Sequence, residues 1–436
     1  MPDEIRVPFG KAGDLSFTLP ANWTLDKICD PKEVAPCEDV AAEARRAVRE
    51  PVGAPPLAEC VTGAKKICVV VDDVSRPTPA HLFFDHVLRE IESAGIAPDQ
   101  ITVITALGVH RAMTDAEIAN KIGDAGAARY RVENHNAEPG DHLVRLGRTS
   151  RGSEVYVNRH VAEADVTVSL GCIEPHVIAG FGGGYKNIFP GCAGKQTVAA
   201  NHALNTTPAT FNMVGSRPEN NPMRCDLEEC GRMVSGRVFI VNAVLDGFLR
   251  VARIVAGDPV AAHREGIKTS QEIFGVRIDK RCDVLITCSH PMNIDLRQGV
   301  KALANTIQAV RPGGVLINLV AAEEGLGEFP MPKKRLPVGK RGVRALARVL
   351  LPLVGRFTFG MKEEDLFFIY FALQAFKRND IYFYSPNVPA EFTDRVPLFE
   401  ISKTIEETLA KAHRAMPGPA SVLVFPRGAI TYPIIE

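Results

Sequence analysis

Imidazole, guanidinium and ammonium side chains recur in this chain just after apolar runs. Asp73, Ser75 and Arg76 close or follow KKICVVVDD, residues 65–73. His110 follows ITVITALG, residues 101–108. Glu174, Pro175 and His176 follow DVTVSLG, residues 165–171. His290 follows CDVLITC, and Arg297, Gln298 and Lys301 come shortly after it. Imidazole titrates near neutrality, so it can both take and return a proton. A guanidinium holds a carboxylate through two parallel hydrogen bonds. A crevice that collects these groups suits an anionic substrate whose protons must move.

The most unusual stretch is AGFGGGYKNIFPGCAGKQTVAANH, residues 179–202. Its glycines include Gly182, Gly183 and Gly184, and it contains Lys186 and ends on His202. Such backbone can approach a ligand closely or form an anion nest. No Gly-Lys-Ser/Thr follows at Walker A spacing, and Tyr185 stands where the third glycine of GxGxxG would be. A glycine-rich turn beside Lys186 still points to a bound phosphate or nucleotide. The plainer alternative is a flexible surface loop. His263, in AAHREG, reads as structural, and His290 as an outer pocket residue. Cys225 and Cys230 read as core rather than as metal ligands.

The elements that must position these groups alternate between strand and helix. Strands are expected over 65–73, 101–108, 130–136, 165–171, 238–246, 282–290, 313–322, 381–386 and 421–428. Helices are expected from Thr114 as N-cap and over 293–310, with Asn293 at its start. The alternation predicts two Rossmann-like α/β domains with mainly parallel sheets and an active-site crevice between them. The boundary is expected near 275: an N-terminal domain, 1–275, for cofactor and catalysis, and a C-terminal domain, 276–436. The last strand is allowed to return to the first domain.

Lys plus Arg and Asp plus Glu are 51 each, so the chain has no net charge to recruit nucleic acid or a membrane surface. The start, MPDEIRVPFG, has no secretory pattern. The longest apolar run, LFFIYFALQAF at 366–376, is too short for a bilayer, which needs about 20 residues, and reads as a buried helix. The ten cysteines form no CxxC pair, and a reducing cytoplasm is the simplest setting. The basic, proline-rich segment 329–345 reads as an exposed excursion.

Taken together, the motifs resemble those of the nickel-pincer lactate racemases. PHVIAGFGGGYKNIFPG followed by NHA resembles that family's central signature, with His176, Lys186 and His202 at its key places. DVSRPTP, ALGVHR and LRQGVK resemble three further motifs, in the family's order. The resemblance implies a nickel pincer nucleotide as cofactor, a pyridinium-3-thioamide-5-thiocarboxylic acid mononucleotide. It implies that Lys186 is tied to the cofactor and that His202 is a nickel ligand. Asp73, Ser75, Gly182, Gly183 and Gly184 would line the cofactor. His110 and His176 would be the two catalytic bases. Arg76, Gln298 and Lys301 would hold the substrate carboxylate.

The sequence also departs from the lactate-specific members. Arg297 stands where they carry Tyr, Gly299 where they carry Ser, and the only tryptophan is Trp23. Phe367, Phe368, Tyr370 and Phe371 are candidates for the missing aromatic wall, and Gly299 would open space. The expected activity is therefore inversion of a 2-hydroxy acid other than lactate. Arg297 could meet a second carboxylate, as in malate, or the hydroxyls of a sugar acid. The competing readings are a hydro-lyase or dehydrogenase of 2-hydroxy acids, and a non-catalytic nickel-cofactor binder. Expected partners are the small acid and, transiently, the proteins that build the cofactor.

Overall fold

The computed structural model describes residues 4–327 and 363–435 apart from 397, with 329, 331, 332, 334, 335, 339, 342 and 351 between them. Most of the basic segment 329–345 lies outside the described residues. The chain divides into two compact units. One is built from 33–205 and 216–273, and the other from 1–32, 206–215 and 274–436. The expected boundary near 275 thus misses two returns of the chain. Residues 1–32 and 206–215 pack with the C-terminal part.

In the 33–273 unit the core is a six-stranded sheet. Its order is Val251–Gly257, Arg237–Leu245, Val166–Cys172, Ile67–Asp72, Ile101–Ala106 and Arg131–Asn134. All neighbours are parallel except Val251–Gly257, which runs antiparallel beside Arg237–Leu245. The run ICVVVD is buried at every position because both sheet faces are covered. Val69 and Val71 pack with Phe84, Val87 and Leu88 on one face. Cys68 and Val70, pointing the other way, pack with Ile188, Phe189 and Leu227. Each such side chain contributes about 1.5–3 kcal/mol of burial. The helix Asp115–Ile122 begins at the expected Thr114, whose hydroxyl accepts the Glu117 N–H while the Glu117 carboxylate accepts the Thr114 N–H.

The other unit carries an all-parallel sheet. Its order is Glu400–Ser402, Asp380–Tyr384, Val310–Leu319, Cys282–Cys288, Ala420–Phe425 and Trp23–Ile28. The N-terminal strand Trp23–Ile28 therefore belongs to this sheet, which the sequence reading did not foresee. The last strand, Tyr432–Ile435, pairs with Gly275–Ile278 and stays in the same unit. The helix after Cys282–Cys288 spans Leu296–Thr306 and is capped by Asp295, not Asn293. The Asp295 carboxylate accepts the Gln298 N–H at 2.7 Å. Asn293 is instead drawn into a turn by Ser289 and His290. The apolar run at 366–376 lies within the helix Glu363–Arg378. Among the described residues, no helix is long and apolar enough to cross a membrane.

Candidate active site

In the 33–273 unit the chain builds outward from Ile67–Asp72 in both directions. The strands 101–106 and 131–134 lie on one side, and 166–172 and 237–245 on the other. The loops leaving 67–72 and 166–172 therefore part, opening a crevice at their carboxyl ends. One loop carries Asp73, Ser75 and Arg76, and the other Glu174 and His176. His110 comes from the turn after Ile101–Ala106.

Asp73 is buried and receives the Ser75 N–H at 3.0 Å and its hydroxyl at 2.5 Å. Its other oxygen lies 2.5 Å from His110 Nδ1. Burial alone would raise the Asp73 pKa. The bond and charge of His110, the Ser75 hydroxyl and the Arg76 charge outweigh it and hold the carboxyl well below its usual range. With the His110 proton on Nδ1, the lone pair sits on Nε2, where a base needs it. His176 is wired the opposite way. Its Nδ1 accepts the N–H groups of Ile178 and Ala179 at 3.2 and 3.1 Å, so the neutral ring carries its proton on Nε2.

Arg76 donates to the Glu174 carboxylate at 3.2 Å, a pairing the sequence reading missed. The loop beneath it is pinned by Lys121, which is buried. Its ammonium reaches Asp72 at 2.9 Å, the Arg76 carbonyl at 3.1 Å and the Thr78 carbonyl at 3.3 Å.

Lys186 lies in the short turn Gly184–Asn187, and His202 in the helix Lys195–Ala203. Burial, then the charges of Arg76 and Arg224, push the lysine well below its ordinary pKa. Burial, Lys186, His110 and Arg76 likewise push His202 down to about 4, although its bond to the Val198 carbonyl opposes them. His202 Nδ1 donates to that carbonyl at 2.7 Å, which leaves the Nε2 lone pair available to a metal. These mutual influences gather Asp73, Arg76, His110, Lys186 and His202 at one sheet end.

The glycines before Lys186 are buried, which is unlike a loose surface loop. Gly183 has φ +70°, and a Cβ there would fall 2.6 Å from Ile173 and 2.7 Å from Asn242. Gly184 has φ +65° and lies against the His263 ring. Only glycine suits either position.

The remaining candidates lie in the other unit. Arg297, Gln298 and Lys301 all sit on Leu296–Thr306. Gly299 does not open a pocket as expected, because it packs against Val320 in the interior. Trp23 is buried, and its indole N–H donates to the Met416 carbonyl at 3.1 Å. Tyr370 and Phe371 are buried as well, and Phe371 packs 5.7 Å from Phe211. The side chains of Phe367 and Phe368 lie outside the described residues. Cys230 is in the core, and the Cys225 thiol donates to the carbonyls of Pro218 and Glu219.

Residues 9–212 match the family model described as the lactate racemase N-terminal domain. The lactate racemase of Lactiplantibacillus plantarum is 31% identical over 290 residues, 65% of this chain and 66% of the relative. That of Thermoanaerobacterium thermosaccharolyticum is 29% identical over 327 residues, 74% and 75% of the two chains. These alignments span about two thirds to three quarters of the relatives' length. The structure of the lactate racemase apoprotein from Thermoanaerobacterium thermosaccharolyticum superposes with TM-score 0.86 at 24% identity, covering 99% of this chain and 100% of that one. A protein from Thermotoga maritima superposes with TM-score 0.66 at 16% identity, covering 92% and 100%.

Proposed function

Because the chain belongs to the lactate racemase family of isomerases, we propose that it inverts the α-carbon of a short 2-hydroxy acid other than lactate. The observation that carries this is the opposed wiring of its two histidines. His110 presents a lone pair backed by Asp73, while His176 carries a proton on Nε2. Inversion through a 2-keto acid needs one group to hold the hydroxyl proton and another to polarise the carbonyl oxygen. In one direction His110 takes that proton and becomes an imidazolium stabilised by Asp73. His176 donates its Nε2–H as a hydrogen bond to the oxygen of the 2-keto intermediate, and the His110 imidazolium returns the proton to that oxygen when the α-carbon takes hydride back. Arg76 binds the substrate carboxylate. Glu174 holds the guanidinium in place until the substrate arrives.

The residues suit a nickel pincer nucleotide. His202 offers one neutral imidazole nitrogen, a donor that square-planar nickel accepts. Among the described residues no three His, Cys, Asp or Glu side chains gather as a metal site, so the cofactor's own atoms would supply the other donors. Lys186, whose pKa burial and the charges of Arg76 and Arg224 lower well below the ordinary lysine value, suits a covalent attachment. Asp73, Ser75 and the glycines 182–184 are the proposed lining. When bound, the cofactor supplies a reversible hydride acceptor for the α-carbon. Proteins that build it would be transient partners.

The test is to load the chain by co-expression with cofactor-building proteins and supply single enantiomers of 2-hydroxy acids deuterated at the α-carbon, malate among them. Inversion with deuterium retained in the product is the expected result. Loss of deuterium to water would point to carbanion chemistry. A new unsaturated-acid absorbance, or a requirement for a soluble nicotinamide, would replace the proposal with a hydro-lyase or a dehydrogenase.

A further inference from the structure

Arg224 is the bulkiest of the fully buried side chains, at 0% exposure. It sits on the helix Pro222–Arg232, and nothing in the motif NPMRCDLEEC marks it for chemistry. Its hydrogen bonds run to carbonyl oxygens: Ala179 at 3.4 Å, Gly183 at 3.1 Å, and Phe181. The carboxylates on its own helix are engaged elsewhere. Glu228 pairs with Arg264 at 2.8 and 3.0 Å, and Asp226 accepts from Thr149, Ser153 and Asn201. Among the described residues no carboxylate hydrogen-bonds to Arg224, and a buried cation held this way is a poor way to fill a core, where an apolar residue of the same volume serves better. Its presence calls for a different reason.

The carbonyls it holds belong to the glycine loop, and other buried polar groups hold the rest. His263 Nε2 donates to the Gly182 carbonyl at 2.8 Å, with its ring against Gly184. Asn205 and Asn221 both donate to the Ile178 carbonyl, at 2.7 and 2.8 Å. Asn242 accepts the Gly184 N–H at 2.8 Å. The Gly183 carbonyl that receives Arg224 also receives the Lys186 N–H at 3.2 Å, so one oxygen links the guanidinium to the lysine's backbone.

We infer that Arg224 and His263 are positioning residues for Lys186, fixing residues 179–184 by their carbonyls so that the lysine amine is held in place for the cofactor. A glycine-rich loop has many conformations to lose on ordering. Donors aimed at successive carbonyls select one of them, and the Arg224 charge adds to the field that disfavours a charged Lys186. This inference rests on the reading of Lys186 as the attachment point.

The test compares His263→Leu, His263→Gln and Arg224→Met in the full-length chain. Two quantities are read: amide hydrogen exchange of peptides covering 179–188, and the fraction of chain carrying added mass on Lys186 after co-expression with cofactor-building proteins. Leucine removes the donor to Gly182, whereas the glutamine amide can replace it. His263→Leu is expected to speed exchange in 179–188 by about tenfold or more while the strand 67–72 stays protected. It is also expected to lower loading by about tenfold or more, because small misplacements of a reacting group cost that much. His263→Gln should restore both to within about threefold of the parent chain. Unchanged protection of 179–188 in folded His263→Leu, an equal rise throughout the molecule, or no rescue by glutamine would overturn the inference. Should Arg224→Met not fold, the two His263 variants decide it alone. If the parent chain never loads, the cofactor reading fails, and the exchange comparison still judges the clamp.

Discussion

At the scale of single residues, the proposed chemistry depends on which nitrogen of each imidazole holds its proton. The Asp73 carboxylate sets that choice for His110, and two backbone N–H groups set it for His176. Asp73→Asn keeps the shape but can donate to Nδ1, which moves the His110 proton to Nε2 and blocks the base. A kcat lower by about 10²–10⁴-fold, with substrate KM nearly unchanged, is expected from steady-state kinetics on the loaded enzyme. An unaltered kcat would remove Asp73 from the mechanism. Arg297 is a proposed contact for a second substrate carboxylate. If it meets a second carboxylate, Arg297→Ala should raise KM for a dicarboxylic 2-hydroxy acid by about tenfold or more, the worth of a charge-assisted hydrogen bond, and leave a monocarboxylic one nearly unaffected. Equal effects on both would sink the assignment.

Elements position these residues through strand order and through packing that tolerates few changes. The loops bearing Asp73 and His176 part because the strands on either side of Ile67–Asp72 are added in opposite directions. That is a property of topology, and each strand's own sequence is silent on it. Gly299 shows the same dependence on packing. Read along the chain it looked like space beside the substrate, yet in the helix Leu296–Thr306 it faces Val320. Gly299→Ser should therefore destabilise the protein by about 1–3 kcal/mol through overpacking, seen as a lower Tm. A serine accepted without loss of Tm, together with a changed substrate range, would return the position to the pocket.

For the whole molecule, the buried titratable groups predict how stability follows pH. His135 is 4% exposed, donates from Nε2 to the Ala193 carbonyl at 3.0 Å, and has its pKa lowered to about 4, chiefly by burial. Between its ordinary value of 6.5 and about 4, the unfolded chain binds a proton that the folded chain refuses. Stability from this group is thus complete above pH 6.5 and is lost as pH falls through that window, on the order of 3 kcal/mol in all. Denaturant titrations at pH 7 and pH 4.5 should show the loss, and His135→Gln should shrink it; an identical pH dependence in the variant would count against this account. Much of the fold could be read from the chain, because buried parallel strands are unbroken apolar runs and Thr114 begins a capping box. Short motifs single out Asp73, Arg76, His110, His176, Lys186 and His202 in the chain, and their roles are those proposed above. The sequence by itself determined those local facts, since they depend on residue type and near-neighbour spacing. Only the tertiary structure decided that Trp23–Ile28 joins the sheet of the C-terminal strands, that Glu174 meets Arg76, and that Arg224, Asn242 and His263 converge on one glycine loop. Those partners lie tens to hundreds of residues apart, and hydrogen bonds to backbone carbonyls leave no pattern in the sequence of the segment that receives them.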